Sequence, residues 1–149
     1  MHEISQILVP IDFDKHTNKL VEFAIYMAGK LSANVNFLHV LEVEIFGAYA
    51  GIVHPSFDLA ANELRAFCEQ KMVNLVEDNR EKCPECCGKV VIKGDIVDEI
   101  IAFAKEENAD LIIIGTHGSK GIEKILLGSV AERVVKNAPC PTLTFNPYN

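Results

Sequence analysis

The stretch from Gly115 to Ser129, GTHGSKGIEKILLGS, holds four of the chain's nine glycines directly after its most apolar run, Leu111-Ile112-Ile113-Ile114. Glycine takes positive φ without strain and lets another group approach the backbone closely. Ser129 follows the last of the four, and a helical pattern starts there. A helix start offers free N–H groups and a positive dipole end to an anion, and Ser129 adds a hydroxyl. Such a stretch can hold a phosphate largely through its backbone. It can equally be a turn-rich connection, because glycines often do no more than turn a chain. The P-loop pattern G-x-x-x-x-G-K-[ST] and the dinucleotide pattern G-x-G-x-x-G are both missing.

Other residues carry chemistry singly. Asp12 closes the run Ile7-Leu-Val-Pro-Ile-Asp, where a carboxylate serves either a ligand or a strand-end turn. His117 lies inside the glycine stretch and reads as a structural histidine or a donor to phosphate. His39 sits within a strand pattern with no second metal ligand nearby, so it is a packed histidine. Cys83-Pro-Glu-Cys86-Cys87 contains C-x₂-C, which can supply two zinc ligands or a redox pair. Two further ligands at suitable spacing are missing, and the motif follows a helix instead of opening one. The cluster is therefore expected to be surface thiols in a loop. No Ser-His-Asp set, no H-E-x-x-H and no placed general base accompanies these residues, so no catalytic group is assigned.

The elements that must position them follow from periodicity. Ile7–Phe13 and Asn34–Leu41 read as buried strands, with a helix between them capped by Thr17 and striped by Leu20, Ala24, Met27 and Leu31. Glu42–Pro55 breaks both periods and reads as a loop whose Ile45, Phe46, Tyr49 and Ile52 are apolar. A long helix over 56–80 follows, with Leu64, Phe67, Met72 and Leu75 as its inner face. Lys89–Lys93 is a third strand. Asp95 caps a helix reaching Glu107, Asp110–Ile114 is strand four, Ser129–Asn137 is the last helix and Thr142–Asn146 the last strand. This alternation predicts an α/β fold: one doubly wound, Rossmann-like parallel sheet of five strands with helices on both faces. Ligands of such sheets bind at the carboxyl ends of the strands, where strand order reverses. Gly115 and Asp12 both fall on that rim.

The totals narrow the partners. With 149 residues the chain suits one domain spanning its whole length, and 49% hydrophobic residues suit a packed core. A net charge of −7 disfavours a general grip on nucleic acid, although Lys120 and Lys124 form a local basic spot. No apolar run reaches the roughly 20 residues of a membrane helix, and no signal peptide is visible, so a cytoplasmic location is expected. Five cysteines cannot all pair internally, which fits reduced thiols.

At the glycine stretch the chain resembles the universal stress protein family, whose nucleotide-binding members carry G-x₂-G-x₉-G-[ST]; Gly115, Gly118, Gly128 and Ser129 match it in full. The flanks Asp110-Leu-Ile-Ile-Ile-Gly and Leu126-Leu-Gly-Ser-Val-Ala-Glu-Arg-Val match too, as do Ile7-Leu-Val-Pro-Ile-Asp, Leu38-His-Val and Ala138-Pro-Cys-Pro-Thr-Leu. The resemblance implies an ATP-binding regulatory module with at most slow hydrolysis and with any Mg²⁺ carried by the phosphates. It implies that Pro10, Ile11, Asp12 and Val40 contact adenine and ribose, with Asp12 facing ribose hydroxyls or a metal. Ile114 and Gly115 would flank ribose and phosphates, and His117, Gly118, Gly128, Ser129 and Val130 would surround the phosphate chain. A branched side chain at Gly118 or Gly128 is expected to fill the phosphate space and spare the fold. The resemblance also implies a homodimer through the last strand. Two rivals stay open: a non-nucleotide interaction module using the 43–55 loop, and a thiol or metal protein using Cys83, Cys86 and Cys87.

Overall fold

Five parallel strands and four helices alternate along the chain in a computed structural model, which describes residues 3–42, 55–117 and 127–148. The strands are β1 (Gln6–Pro10), β2 (Asn34–Glu42), β3 (Cys87–Lys93), β4 (Leu111–Gly115) and β5 (Thr142–Phe145). The helices are α1 (Thr17–Leu31), α2 (Pro55–Asp78), α3 (Ile96–Glu106) and α4 (Ser129–Asn137). The sheet order is β3-β2-β1-β4-β5, so the winding reverses between β1 and β4. The doubly wound α/β expectation holds.

Side-chain alternation splits the interior into two layers. Ile7, Val9, Val35, Phe37, Leu111 and Ile113 face α1 and α2, together with Val21, Ala24, Met72 and Val76. Leu8, Leu38, Val40, Ile112 and Ile114 face α3 and α4, together with Val97, Ile100, Phe103, Ala131 and Val134. Both faces of β1 and β4 are therefore dry, which is why these strands read as unbroken apolar runs. In α3 the buried residues recur at three- and four-residue spacing, and Asp95 caps the helix by accepting from the Asp98 N–H at 2.9 Å.

Several boundaries differ from the expectation, each for a local reason. β1 ends at Pro10 instead of Phe13, because the next three residues leave the sheet and Phe13 adopts φ 58°. Thr17 does not cap α1; it is the first helical residue, and its hydroxyl donates to Asp14 Oδ1 at 3.3 Å. Asp14 Oδ1 also accepts from the His16 N–H at 2.9 Å, so the carboxylate closes an Asx turn that leads the chain into the helix. The buried stripe of α1 is Leu20, Val21, Ala24, Ile25 and Ala28; Met27 is only partly covered and Leu31 is exposed. On α2 the inner face is Cys68, Met72 and Val76, at four-residue spacing, while Leu75 is partly covered. Leu64 and Phe67 are 47% and 58% exposed, because they point away from the sheet on the flank of the helix. The Lys71 ammonium sits 4.8 Å from the Phe67 ring and 5.5 Å from the Phe13 ring, giving that flank a cation–π covering.

The cysteine cluster is also unlike its expectation. Cys83 and Cys86 are buried in the α1–α2 layer and only Cys87 is exposed, because the turn after α2 folds back under the helix before β3 begins. The apolar residues of the 43–55 loop lie outside the described residues, except that Pro55 is already the first residue of α2.

Candidate nucleotide site

Parallel pairing of β1 with β4 sets Ile7 opposite Leu111 and Leu8 opposite Ile112. Counting forward along both strands puts Pro10 beside Ile114 and Ile11 beside Gly115. The two loops that leave these strands, toward α1 and toward α4, thus open side by side at the carboxyl rim. This is the reversal point where open α/β sheets take ligands.

The β1 side of the rim is held by hydrogen bonds, two of them from side chains. The Ile11 N–H donates to the Leu38 carbonyl at 2.8 Å, and His39 Nδ1 lies 2.8 Å from the Ile11 carbonyl oxygen. A carbonyl only accepts, so the proton is on Nδ1 and His39 donates. Burial pushes the His39 pKa below its ordinary value, which favours this neutral ring, although Ile11 and Asp12 pull the other way. The His39 ring packs on Phe13 with centroids 4.7 Å apart. Asp12 is exposed at the rim, and its Oδ1 accepts from the Asp14 N–H at 3.2 Å. Pro10, Ile11 and Val40 are buried and supply apolar wall, not polar contact.

The β4 side is built from backbone. Thr116 donates its N–H to the Phe145 carbonyl at 2.9 Å and accepts the Gly128 N–H on its own carbonyl at 2.8 Å. That second bond draws the start of α4 onto the end of β4. A Cβ on Gly128 would stand 2.9 Å from the Thr116 oxygen, closer than real side chains come. Glycine is therefore required by the chain itself at this position, which corrects the expectation that a branched residue would spare the fold. A Cβ on Gly115 would meet the His117 carbonyl oxygen at 3.6 Å and Leu20 at 3.8 Å, ordinary contact distances, so the described fold would accept a side chain there. Ile114 is buried in the α3–α4 layer beneath it.

Helix α4 begins at Ser129 with Gly128 as its N-cap, and among the described residues no side chain caps it. The N–H groups of Ser129 and Val130 therefore belong to a helix start with no capping oxygen of its own. Ser129 is exposed and Val130 partly buried. Arg133, one turn on, reaches both oxygens of Asp95 at 3.3 Å and ties α4 to the cap of α3. His117 Nδ1 lies 2.7 Å from the Thr116 hydroxyl, while its buried Nε2 has no hydrogen-bond partner among the described residues. Gly118 lies outside the described residues, as do Lys120 and Lys124. Among the described residues no group of three or more His, Cys, Asp or Glu is placed to hold a metal ion.

Some contributors were invisible at the level of motifs. Tyr148 packs edge-on against both His16 and His117, with centroids 4.9 Å apart in each case, and its hydroxyl lies 3.0 Å from His16 Nε2. Lys19 Nζ holds the preceding Pro147 carbonyl at 3.1 Å. No sequence signal announced this tail contact. Asp14 did have a signal, an acidic residue just ahead of a helical pattern, and Thr17 drew attention from it.

Fold and strand order define the doubly wound α/β class, whose ligand rim lies at the carboxyl ends of the strands. The family model described as "Universal stress protein family" matches residues 3–146, and the chain belongs to that family. A curated relative, universal stress protein MJ0531 of Methanocaldococcus jannaschii, is 34% identical over 93% of this chain and 79% of its own length. The solved structure of MJ0577 superposes with a TM-score of 0.81 at 26% identity, covering 97% of each chain. A universal stress protein from Archaeoglobus fulgidus in complex with dAMP matches at TM-score 0.61 and 22% identity, covering 96% of this chain and 98% of that one. At that identity the likeness is one of fold.

Proposed function

We propose that the chain is an ATP-binding regulatory module of the cytoplasm, with at most slow hydrolysis. The observation that carries this reading is a glycine at 115, where the described fold would accept a side chain, beside an α4 start that no side chain caps among the described residues. Both features cost stability if nothing binds, and both suit a phosphate chain. The unpartnered Nε2 of His117 supports the same ligand, since buried polar atoms ordinarily have partners. The dAMP complex of a protein of the same fold supports an adenine nucleotide as the class.

In this reading Pro10, Ile11 and Val40 line the adenine and ribose, and Asp12 accepts from ribose hydroxyls. Ile114 and Gly115 lie along ribose and phosphates, and His117, Gly118, Gly128, Ser129 and Val130 surround the phosphates. Any Mg²⁺ is carried by the phosphates and supplies charge neutralisation. The chain's own part is to bind and orient; it presents no base for an attacking water among the described residues. Calorimetric titration with ATP and Mg²⁺ is expected to give saturable heat and a raised melting temperature. No heat and no thermal shift at millimolar ATP overturns the reading.

The module assembles as a homodimer through β5. Among the described residues this strand pairs with β4 alone and so forms a sheet edge that invites pairing. Leu143 and Phe145 are partly buried in the chain's own core, with Phe145 stacked on Phe23 at 4.9 Å, so the edge's attraction is mainly its backbone. Light scattering is expected to give about twice the 16.5 kDa chain mass. A monomer mass at tens of micromolar rejects this assembly.

A further inference from the structure

The connection between α2 and β3 contains a feature that the nucleotide reading leaves unused. Cys83-Pro84-Glu85-Cys86 is a tight turn in which the Cys86 N–H donates to the Cys83 carbonyl at 3.2 Å. Proline at the second position presets the backbone for such a turn. In a four-residue turn of this kind the end Cα atoms are closer than about 7 Å, and a disulfide spans roughly 4.4–6.8 Å. Arg80 grips the turn from outside, donating from Nη1 to the Pro84 carbonyl at 2.8 Å and to the Cys86 carbonyl at 3.3 Å. Both thiols point inward: Cys83 is 8% and Cys86 2% exposed. Both side chains belong to the same buried cluster, so the turn brings the two thiols into one apolar layer.

We propose that Cys83 and Cys86 form a reversible disulfide site, oxidised by a low-molecular-weight disulfide while the turn keeps its fold. The Cys83 thiolate attacks one sulfur of the small disulfide, forming a mixed disulfide and releasing one small thiol. The Cys86 thiolate then attacks the Cys83 sulfur and expels the second small thiol. Two protein thiols lose two electrons and two protons, and the small disulfide becomes two thiols. Burial and the hydrogen bond to Cys86 push the Cys83 thiol up to about 12, so exchange is slow at neutral pH and quickens as pH rises. Cys87 is the contrasting thiol, because it faces solvent at the start of β3. A metal is a poorer occupant, since the described residues offer no third ligand.

The test uses the full chain, incubated for hours with reduced or oxidised glutathione at mildly alkaline pH, acid-quenched, denatured and alkylated. Trypsin releases Cys83–Lys89 as one peptide with all three cysteines of the cluster. The reduced sample is expected to carry three alkyl groups on that peptide. The oxidised sample is expected to hold a disulfide within the peptide, with Cys87 either alkylated or joined to glutathione, and to regain three alkyl groups after dithiothreitol. Cys87→Ser should still lose two alkylation sites on oxidation, whereas Cys83→Ser and Cys86→Ser should form no intrapeptide disulfide. Full alkylation in the oxidised sample overturns the proposal, and so does a disulfide that survives Cys83→Ser or vanishes in Cys87→Ser. Because Cys87 is exposed, that variant keeps the test decisive where the buried serine variants fail to fold. ATP binding plays no part in any outcome.

Discussion

The two strand ends at the rim are held by different means. After β1, the side chains of Asp14 and His39 hold the backbone, and Phe13 sits at positive φ between them. After β4, backbone holds backbone: Thr116 takes the Gly128 N–H, and among the described residues no side chain caps α4. The first arrangement can be weakened one hydrogen bond at a time. The second fails sterically, because two main chains lie so close that a side chain has no room. Substitutions on the two sides should therefore differ in kind.

The largest effect is expected at Gly128→Val. Its Cβ would press on the Thr116 carbonyl, so chemical denaturation should show a loss of about 2–3 kcal/mol, with ATP binding abolished. Unchanged stability would mean that the contact is not tight. Gly115→Ala probes the same loop where the chain leaves space. Stability should stay within about 1 kcal/mol of wild type while ATP affinity falls roughly tenfold, read by titration. Equal losses in both variants would erase the distinction between a glycine the fold needs and one the ligand needs.

On the other side, His39→Phe keeps a ring against Phe13 and removes the donor to Ile11. A threefold to tenfold loss of ATP affinity is expected, since one hydrogen bond contributes about 0.5–1.5 kcal/mol. The pH dependence is the sharper readout. The buried ring has its pKa lowered, so the unfolded chain binds a proton more readily than the folded one. Its stabilising effect is present above about pH 6.5 and is lost as pH falls from there through the folded pKa. His39→Phe should flatten that part of the stability profile. The smallest effect is expected for Asp95→Asn. The Asp98 N–H, then Arg133, hold the Asp95 carboxyl below its usual range, a stabilisation present above about pH 4 and lost as pH falls through the folded value. The variant should lose less stability than wild type between neutral pH and acid, by urea unfolding.

The strand and helix order was legible because both faces of the sheet are covered, which writes β1 and β4 as plain apolar runs. The rim was legible where it is backbone: Gly128 stands where another main chain comes too close for a side chain. It was illegible where side chains from distant segments meet. Nothing around His39 announces that its partner is a carbonyl 28 residues earlier. Nothing around Tyr148 announces its contact with His16, 132 residues away. The α2 face was misjudged because Leu64 and Phe67 fit a helical stripe as well as Cys68 does, and only packing against the sheet chooses between them. Cys83 and Cys86 were taken for surface thiols because a turn rich in Pro and Glu reads as exposed, whereas its cysteines point inward.

The strand order also has a consequence for the chain as it leaves the ribosome. β1, β2 and β3 are adjacent in both sequence and space, so half of the sheet can form early. The remaining edge of β1 is then open until β4 arrives. Asp110, which takes the Ser5 N–H at 2.9 Å, emerges 105 residues after it. Contacts that distant are slow to close, and an apolar strand with a bare edge is what holding chaperones recognise. The centre of the finished sheet is thus closed late, with only the β5 edge still to add, and the nascent chain is most vulnerable in the interval when β1 has only one neighbour.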